Sequence, residues 1–251
     1  MYSLTCTLLL LFARQVFNKP LEDPELRQDY YQGDILYQPV RTRNGIVNKI
    51  LHWPNGTVPY IIEKNAFDDS HHREILRAIS IIEENSCVVF APVTEEEHSN
   101  AVVIRSNGFG CNSAYLGYRQ IQQIVNLQIF PIGMGCFRIG SIIHELLHIL
   151  GFEHQHVANN RDEYISIQWD NIQPKFNINF VNTDNSTLWH DFGEGYDYES
   201  VMHYVPKAFS KNGQPTIIPL RDGAENMGQR LYMSEKDIRK LNKMYNCPGY
   251  V

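Results

Sequence analysis

The stretch HELLHILGFEH, residues 144–154, constrains this chain more than anything else in its 251 residues. In an α-helix, positions i and i+4 stand one turn apart on one face, so His144 and His148 can aim both imidazoles at one ion. Glu145 is one residue further along and cannot share that geometry, but it can reach a water at the same ion and accept its proton. Gly151 suits a helix C-terminus, and the turn after it brings His154 back as a third ligand. Three neutral imidazoles suit zinc and leave one position open, the arrangement of a catalytic rather than a structural site. The flanking Ile142, Ile143, Leu146, Leu147, Ile149 and Leu150 supply an apolar setting that strengthens electrostatics at the ion. A lone His on an apolar helix is more often a satisfied core residue than a ligand. Here five specified residues coincide, three of them the uncommon His. Background frequencies put the chance of that on the order of 10⁻⁵ for a chain of this length, so the core-residue reading fails.

A hydrophobic content of 43% and a charged content of 20% are those of an ordinary globular protein. The net charge of -6 gives no electrostatic case for nucleic acid or an anionic membrane surface. No apolar run approaches the roughly 18 residues of a membrane span. The opening MYSLTCTLLLLF has the length of a signal-peptide apolar core, although no basic residue precedes it and no clean small-x-small site follows Arg14. Residues 1–16 are therefore expected to be a signal peptide, and the protein to be secreted and extracellular. Of five cysteines, Cys6 would leave with that peptide. Cys87, Cys111, Cys136 and Cys247 remain, an even set that fits two disulfides in an oxidising compartment with three pairings open. Asn-x-Thr sequons at Asn55 and Asn185 add glycosylation to the expectations.

Residues 17–43 are polar and rich in turn signals, without sustained periodicity, and read as an extended segment rather than a domain. Arg41-Thr-Arg43 is a basic processing site between it and the domain of residues 44–251. Past Trp53, TVPYIIE, CVVFAPV, AVVIRS and QIVNLQIF read as strands. Ile75, Leu76, Ile79 and Ile82 mark a helix over residues 68–85, with Asp69 or Ser70 as its cap. A second helix runs from Gly140 to Leu150. SEKDIRKLNKMY forms a third, with Ser234 and Asp237 at capping-box spacing and Ile238, Leu241 and Met244 or Tyr245 on one face.

HExxHxxGxxH followed by a methionine turn marks the metzincins. The longer run HELLHILGFEHQHVANNRDEY, with SVMHY at residues 200–204, resembles the astacin family of zinc metalloendopeptidases. The similarity extends from about Trp53 to Cys247 and is supported by WPNGTVPY, by the Cys after the first long helix and by PTIIPL at residues 215–220. It implies an α+β, zincin-like fold: a twisted mixed sheet with two long helices in the N-terminal half, then an irregular C-terminal half ending in a helix. It implies one zinc ion on His144, His148 and His154, with Glu145 as general base. Met202 would lie beneath the metal, and Tyr204 would be a fifth, displaceable ligand that stabilises the oxyanion. Without the resemblance both would read as core residues. Cys87 would pair with Cys247, and Cys111 with Cys136.

Two features bear on control. YYQGDI, residues 30–35, is similar to a propeptide motif whose Asp takes the water position on zinc, which makes Asp34 the inhibitory ligand of a proform. A trypsin-like protease cutting near Arg43 would activate it. Gln155 is a departure, since many family members carry there a Glu that receives the new N-terminus; an amide keeps the hydrogen bond and loses the charge. The resemblance further implies a monomer acting on protein or peptide substrates, laid along an edge strand near residues 111–117 by β-augmentation. Substrate preference stays open between Lys207, Arg221 or neither. The competing readings are a different metzincin or a metalloesterase with the same zinc chemistry, and a silent binding protein. Retention of all three His and the Glu argues against the second, and a structural zinc site would be closed by a fourth ligand.

Overall fold

The computed structural model describes residues 23–26, 30–37, 51–94, 99–182 and 191–249. The signal segment, the basic site at Arg41–Arg43, the boundary at residue 44 and the sequon at Asn185 lie outside the described residues. Asn55 lies within them, exposed at the tip of a tight turn with a left-handed φ of 55°.

Seven strands and three α-helices are described: β1 Thr57–Ile62, α1 Asp69–Glu84, β2 Val89–Pro92, β3 Val102–Arg105, β4 Cys111–Ser113, β5 Gln123–Leu127, α2 Ile139–Leu150, β6 Ile165–Ile167, β7 Ile217–Pro219 and α3 Glu235–Met244. The first five strands form a sheet in the order β2-β1-β3-β5-β4. β1 runs parallel to β2 and β3, and β3 parallel to β5, while β4 closes one edge antiparallel to β5. A parallel pair cannot be joined by a hairpin, and α1 supplies the crossover from β1 to β2. The fold is the expected α+β arrangement with a mixed sheet.

The cap of α1 lies one residue before those expected. Asp68 has an extended backbone, and its Oδ1 accepts from the amides of Ser70 and His71, both at 2.9 Å. Ile75, Ala78, Ile79 and Ile82 bury its inner face. α2 is buried at every position from Gly140 to Leu150, so it is an interior helix rather than a surface one. It ends where Gly151 turns left-handed, with Gly151 N–H donating to the His148 carbonyl and Phe152 N–H to that of Leu147, both at 2.9 Å. α3 carries the capping box formed by Ser234 and Asp237.

One core fills the space between the sheet, α1 and α2 and takes in Met202, Met233, Leu241 and Met244. A second core, rich in aromatic residues, gathers Phe176, Phe180, Tyr196, Tyr204 and Phe209 in the C-terminal half. Within that irregular half PTIIPL contributes β7, which pairs antiparallel with β6. Disulfides join Cys87 to Cys247 and Cys111 to Cys136. The first ties the chain just past α3 to the chain just past α1. No helix among the described residues is long and apolar enough to cross a membrane.

Candidate metal centre

α2 delivers His144 and His148 from one face, and the Schellman turn at Gly151 returns His154 to the same point. All three side chains are fully buried. Their Nδ1 atoms are engaged outward: His144 with the Val201 carbonyl at 2.9 Å, His148 with the Phe152 carbonyl at 2.7 Å, and His154 with Gln32 Oε1 at 2.8 Å. Each acceptor fixes the proton on Nδ1 and leaves the Nε2 lone pair facing inward, the tautomer a metal requires. Burial holds His144 below its usual range and pushes His154 down to about 3, so both are neutral imidazoles.

A fourth group enters from far away in sequence. Asp34 Oδ2 lies 3.1 Å from both His144 Nε2 and His154 Nε2, and Asp34 Oδ1 lies 3.5 Å from His148 Nε2. The four ligand atoms sit within 4.8 Å of one another. Gln32 and Gly33, with left-handed φ of 49° and 85°, make the tight turn that points Asp34 inward.

Asp34 Oδ1, His148 Nε2 and Glu145 Oε1 are buried without a hydrogen-bond partner among the described residues. Orphaned acceptors this deeply buried are costly, and Asp34 Oδ1 and His148 Nε2, 3.5 Å apart, lie within reach of one cation. The donor set fits zinc: three imidazole nitrogens and one displaceable carboxylate oxygen. Glu145 Oε2 accepts from the Ser113 hydroxyl at 2.8 Å. Burial, then Asp34 and Glu25, push the Glu145 carboxyl well above its usual range, against the Ser113 hydrogen bond. A bound cation pulls it back toward the ionised form that a base needs.

Met202 is buried in the turn after Val201, and its carbonyl accepts from the Gln155 amide at 3.0 Å. The Tyr204 ring stacks on His156 at 3.6 Å, and its hydroxyl donates to the Gln32 carbonyl. Gln155 Oε1 accepts from Lys240 Nζ at 2.8 Å, so an ammonium from α3 already holds the atom considered for a new N-terminus. Residues 34–37 run along the outer edge of β4: Ser113 N–H donates to the Asp34 carbonyl, Leu36 N–H to that of Ser113 and Tyr37 N–H to that of Ala114, at 2.9–3.1 Å. Lys207 is exposed, and Arg221 lies over the Tyr164 ring at 4.1 Å, held by the Glu163 carbonyl.

Sequence reasoning missed the ion pairs beside the site. Arg230 Nε donates to Glu25 Oε2 at 2.6 Å, and both side chains are buried. Arg138 Nη2 reaches Glu25 Oε1 at 3.2 Å and Asp23 Oδ1 at 3.0 Å. Burial raises the Glu25 carboxyl, but Arg230 and Arg138 overcome it and hold it at about 2. No local pattern announces a pair 205 residues apart; the sole hint was an acidic cluster in a segment with no core of its own.

An interior helix that aims two imidazoles at a third, with a carboxylate alongside, fits the class of zinc-dependent peptidases. The Astacin peptidase-family model matches residues 45–246. The chain belongs to the astacin family. It is 72% identical over 243 residues to seminal metalloprotease 1 of Drosophila melanogaster, covering 97% of each chain. It is 38% identical to zinc metalloproteinase nas-14 of Caenorhabditis elegans, across 91% of this chain and 43% of that longer relative. Among solved structures it is similar to high choriolytic enzyme 1, a hatching enzyme zinc-protease from the medaka Oryzias latipes. That match has a TM-score of 0.70 and 32% identity over 80% of this chain and 96% of the other.

Proposed function

We propose that the chain is a secreted endopeptidase made as an inactive proform, in which residues 1–16 are a signal peptide, 17–43 a prosegment and 44–251 the catalytic domain. The observation that carries the proform is Asp34, whose carboxylate stands among the three imidazoles in the direction a catalytic zinc keeps open. Two further contacts support it. Residues 34–37 take the hydrogen bonds of the β4 edge that an extended substrate would need, and Gln32 takes the Tyr204 hydroxyl. Cleavage after Arg41 or Arg43 by a trypsin-like protease would release all three at once. The active protein is a monomer, with glycans at Asn55 and Asn185.

Zinc held by His144, His148 and His154 supplies Lewis-acid polarisation of the scissile carbonyl and lowers the pKa of the attacking water. Glu145 takes that water's proton on its carboxylate and later returns a proton to the leaving amine. Ser113 holds one Glu145 oxygen at 2.8 Å, which leaves the unpartnered Oε1 for the proton. Tyr204, once free of Gln32, donates its hydroxyl proton in a hydrogen bond to the oxyanion. In the proform, burial and then the Asp34 charge hold that phenol well above its ordinary pKa. No covalent acyl-enzyme forms.

The test is secretion of the full chain, trypsin treatment, and cleavage of a protein substrate with and without a zinc chelator. Activity that appears after trypsin and disappears with chelator supports the proform and the metal ligands together. Full activity without trypsin overturns the role of Asp34. Absence of activity in a folded, zinc-loaded, trypsin-cut chain overturns the assigned residues.

A further inference from the structure

α3 carries a polar face that turns inward. Ser234, Asp237 and Lys240 follow one another at a spacing of three residues, share one side of the helix and are all buried. Asp237 Oδ1 accepts from the Ser200 hydroxyl at 2.6 Å, and its Oδ2 accepts from the Val201 amide at 2.9 Å. Those residues open the methionine turn, and the Val201 carbonyl takes the Nδ1 proton of His144. Asp197, which accepts from the Ser234 hydroxyl at 2.5 Å, adds a second carboxylate to the same interior.

Lys240 is only 5% exposed. A lysine is almost never buried to this degree unless it is paired. Its Nζ donates to Gln155 Oε1 at 2.8 Å, and Asp237 and Asp197 offset the cost of burying its charge. Gln155 directly follows His154, and its amide donates to the Met202 carbonyl at 3.0 Å. One ammonium therefore bridges the C-terminal helix and the strand of chain that presents the third histidine, at the point where that strand meets the methionine turn.

We propose that Lys240 is a positioning residue for the metal centre: its ammonium pins Gln155, and through it the His154 turn, against the methionine turn. The proposal rests on His144, His148 and His154 being the zinc ligands. Groups hydrogen-bonded directly to a ligand typically change metal affinity 10- to 100-fold when removed; Lys240 acts through the neighbour of a ligand, so the low end, about 10-fold, is expected.

The test compares Lys240→Met with Lys243→Met in the full-length chain. Lys243 sits one turn further along α3 and pairs with Glu194 at 2.6 Å, remote from the ligands, so it reports a general loosening of the helix. Zinc affinity is measured by competition with a chromophoric chelator, and ligand geometry by the visible absorption of the cobalt-substituted protein. Lys240→Met is expected to bind zinc about 10-fold more weakly with altered cobalt bands. Lys243→Met is expected to change neither. After trypsin, Lys240→Met should lower kcat with KM kept within about twofold, because the effect lies at the metal and not at substrate contacts.

Gln155→Leu removes the same contact from the other side. It should show the same loss, and the double variant should be little worse than either single one. Should Lys240→Met fail to fold, Gln155→Leu alone decides. Unchanged zinc affinity and cobalt bands in either folded variant overturn the proposal, as does an equal loss in Lys243→Met or full additivity in the double variant. The metal measurements need no activation. A chain that binds zinc normally but shows no activity after trypsin therefore counts against the proform reading and not against Lys240.

Discussion

Replacing Glu25 by Gln should weaken the hold of the prosegment on the catalytic domain by about 100-fold. In the proform the Glu25 carboxylate faces two guanidinium groups, Arg230 at 2.6 Å and Arg138 at 3.2 Å. Arg230 is 6% exposed and also donates to the His203 and Gln229 carbonyls, so it cannot swing into water when its partner is neutralised. Removing one member of a buried pair costs about 3–5 kcal/mol, because the other charge is left without compensation. A carboxyl held at about 2 instead of 4.5 contributes about 3 kcal/mol at neutral pH, which agrees with the low end. Arg138 is 28% exposed at its side chain and regains water more easily, so the low end is the better figure.

At about 1.4 kcal/mol per factor of ten, this corresponds to roughly 100-fold in affinity. The assay is inhibition of the trypsin-activated enzyme by a synthetic peptide of residues 17–43, native or with Glu25→Gln, beside an Asp34→Ala peptide that loses the metal-site contact instead. The depressed carboxyl also sets the sign of the pH dependence. Its contribution is complete above about pH 4.5 and is lost as pH falls toward about 2. The ratio of the two inhibition constants should therefore be flat through neutral pH and narrow in acid. Equal inhibition by the native and Glu25→Gln peptides at neutral pH would refute the reasoning.

Glu145→Gln should keep its zinc and lose about 10²- to 10⁴-fold in turnover, checked by metal analysis beside peptide hydrolysis. Replacing Cys87 and Cys247 together by Ser opens a loop closed across 160 residues and should cost up to about 5 kcal/mol, read from denaturant midpoints. Gly140→Ala places a Cβ 2.2 Å from the Arg230 carbonyl carbon, a backbone atom that cannot rotate away. It should lower stability by about 3 kcal/mol, seen as a drop in Tm, whereas Gly213→Ala, where a Cβ meets nothing, tests backbone strain alone.

The amino-acid sequence determined the parts of this protein whose physics is local. Helical spacing put His144 and His148 on one face, and Gly151 supplied the left-handed turn that returns His154. Ser234 and Asp237 announced the start of α3 three residues apart, and the error at α1 was a single residue, Asp68 instead of Asp69 or Ser70. These signals are readable because each depends on contacts within one or two turns of chain. β6 and β7 were not readable, since three-residue strands are too short to show a period of two.

Tertiary structure alone decided the rest. The strand order β2-β1-β3-β5-β4 has no local signature. Gln32 meets His154 across 122 residues, and Glu25 meets Arg230 across 205. Lys240 lies outside the apolar face that the sequence assigned to α3, yet it is buried because the methionine turn and Gln155 pack over that side. A charged side chain carries no mark of whether its counter-charge is distant chain or water. Only the folded arrangement, which fixes what lies opposite it and how much solvent remains, settles that.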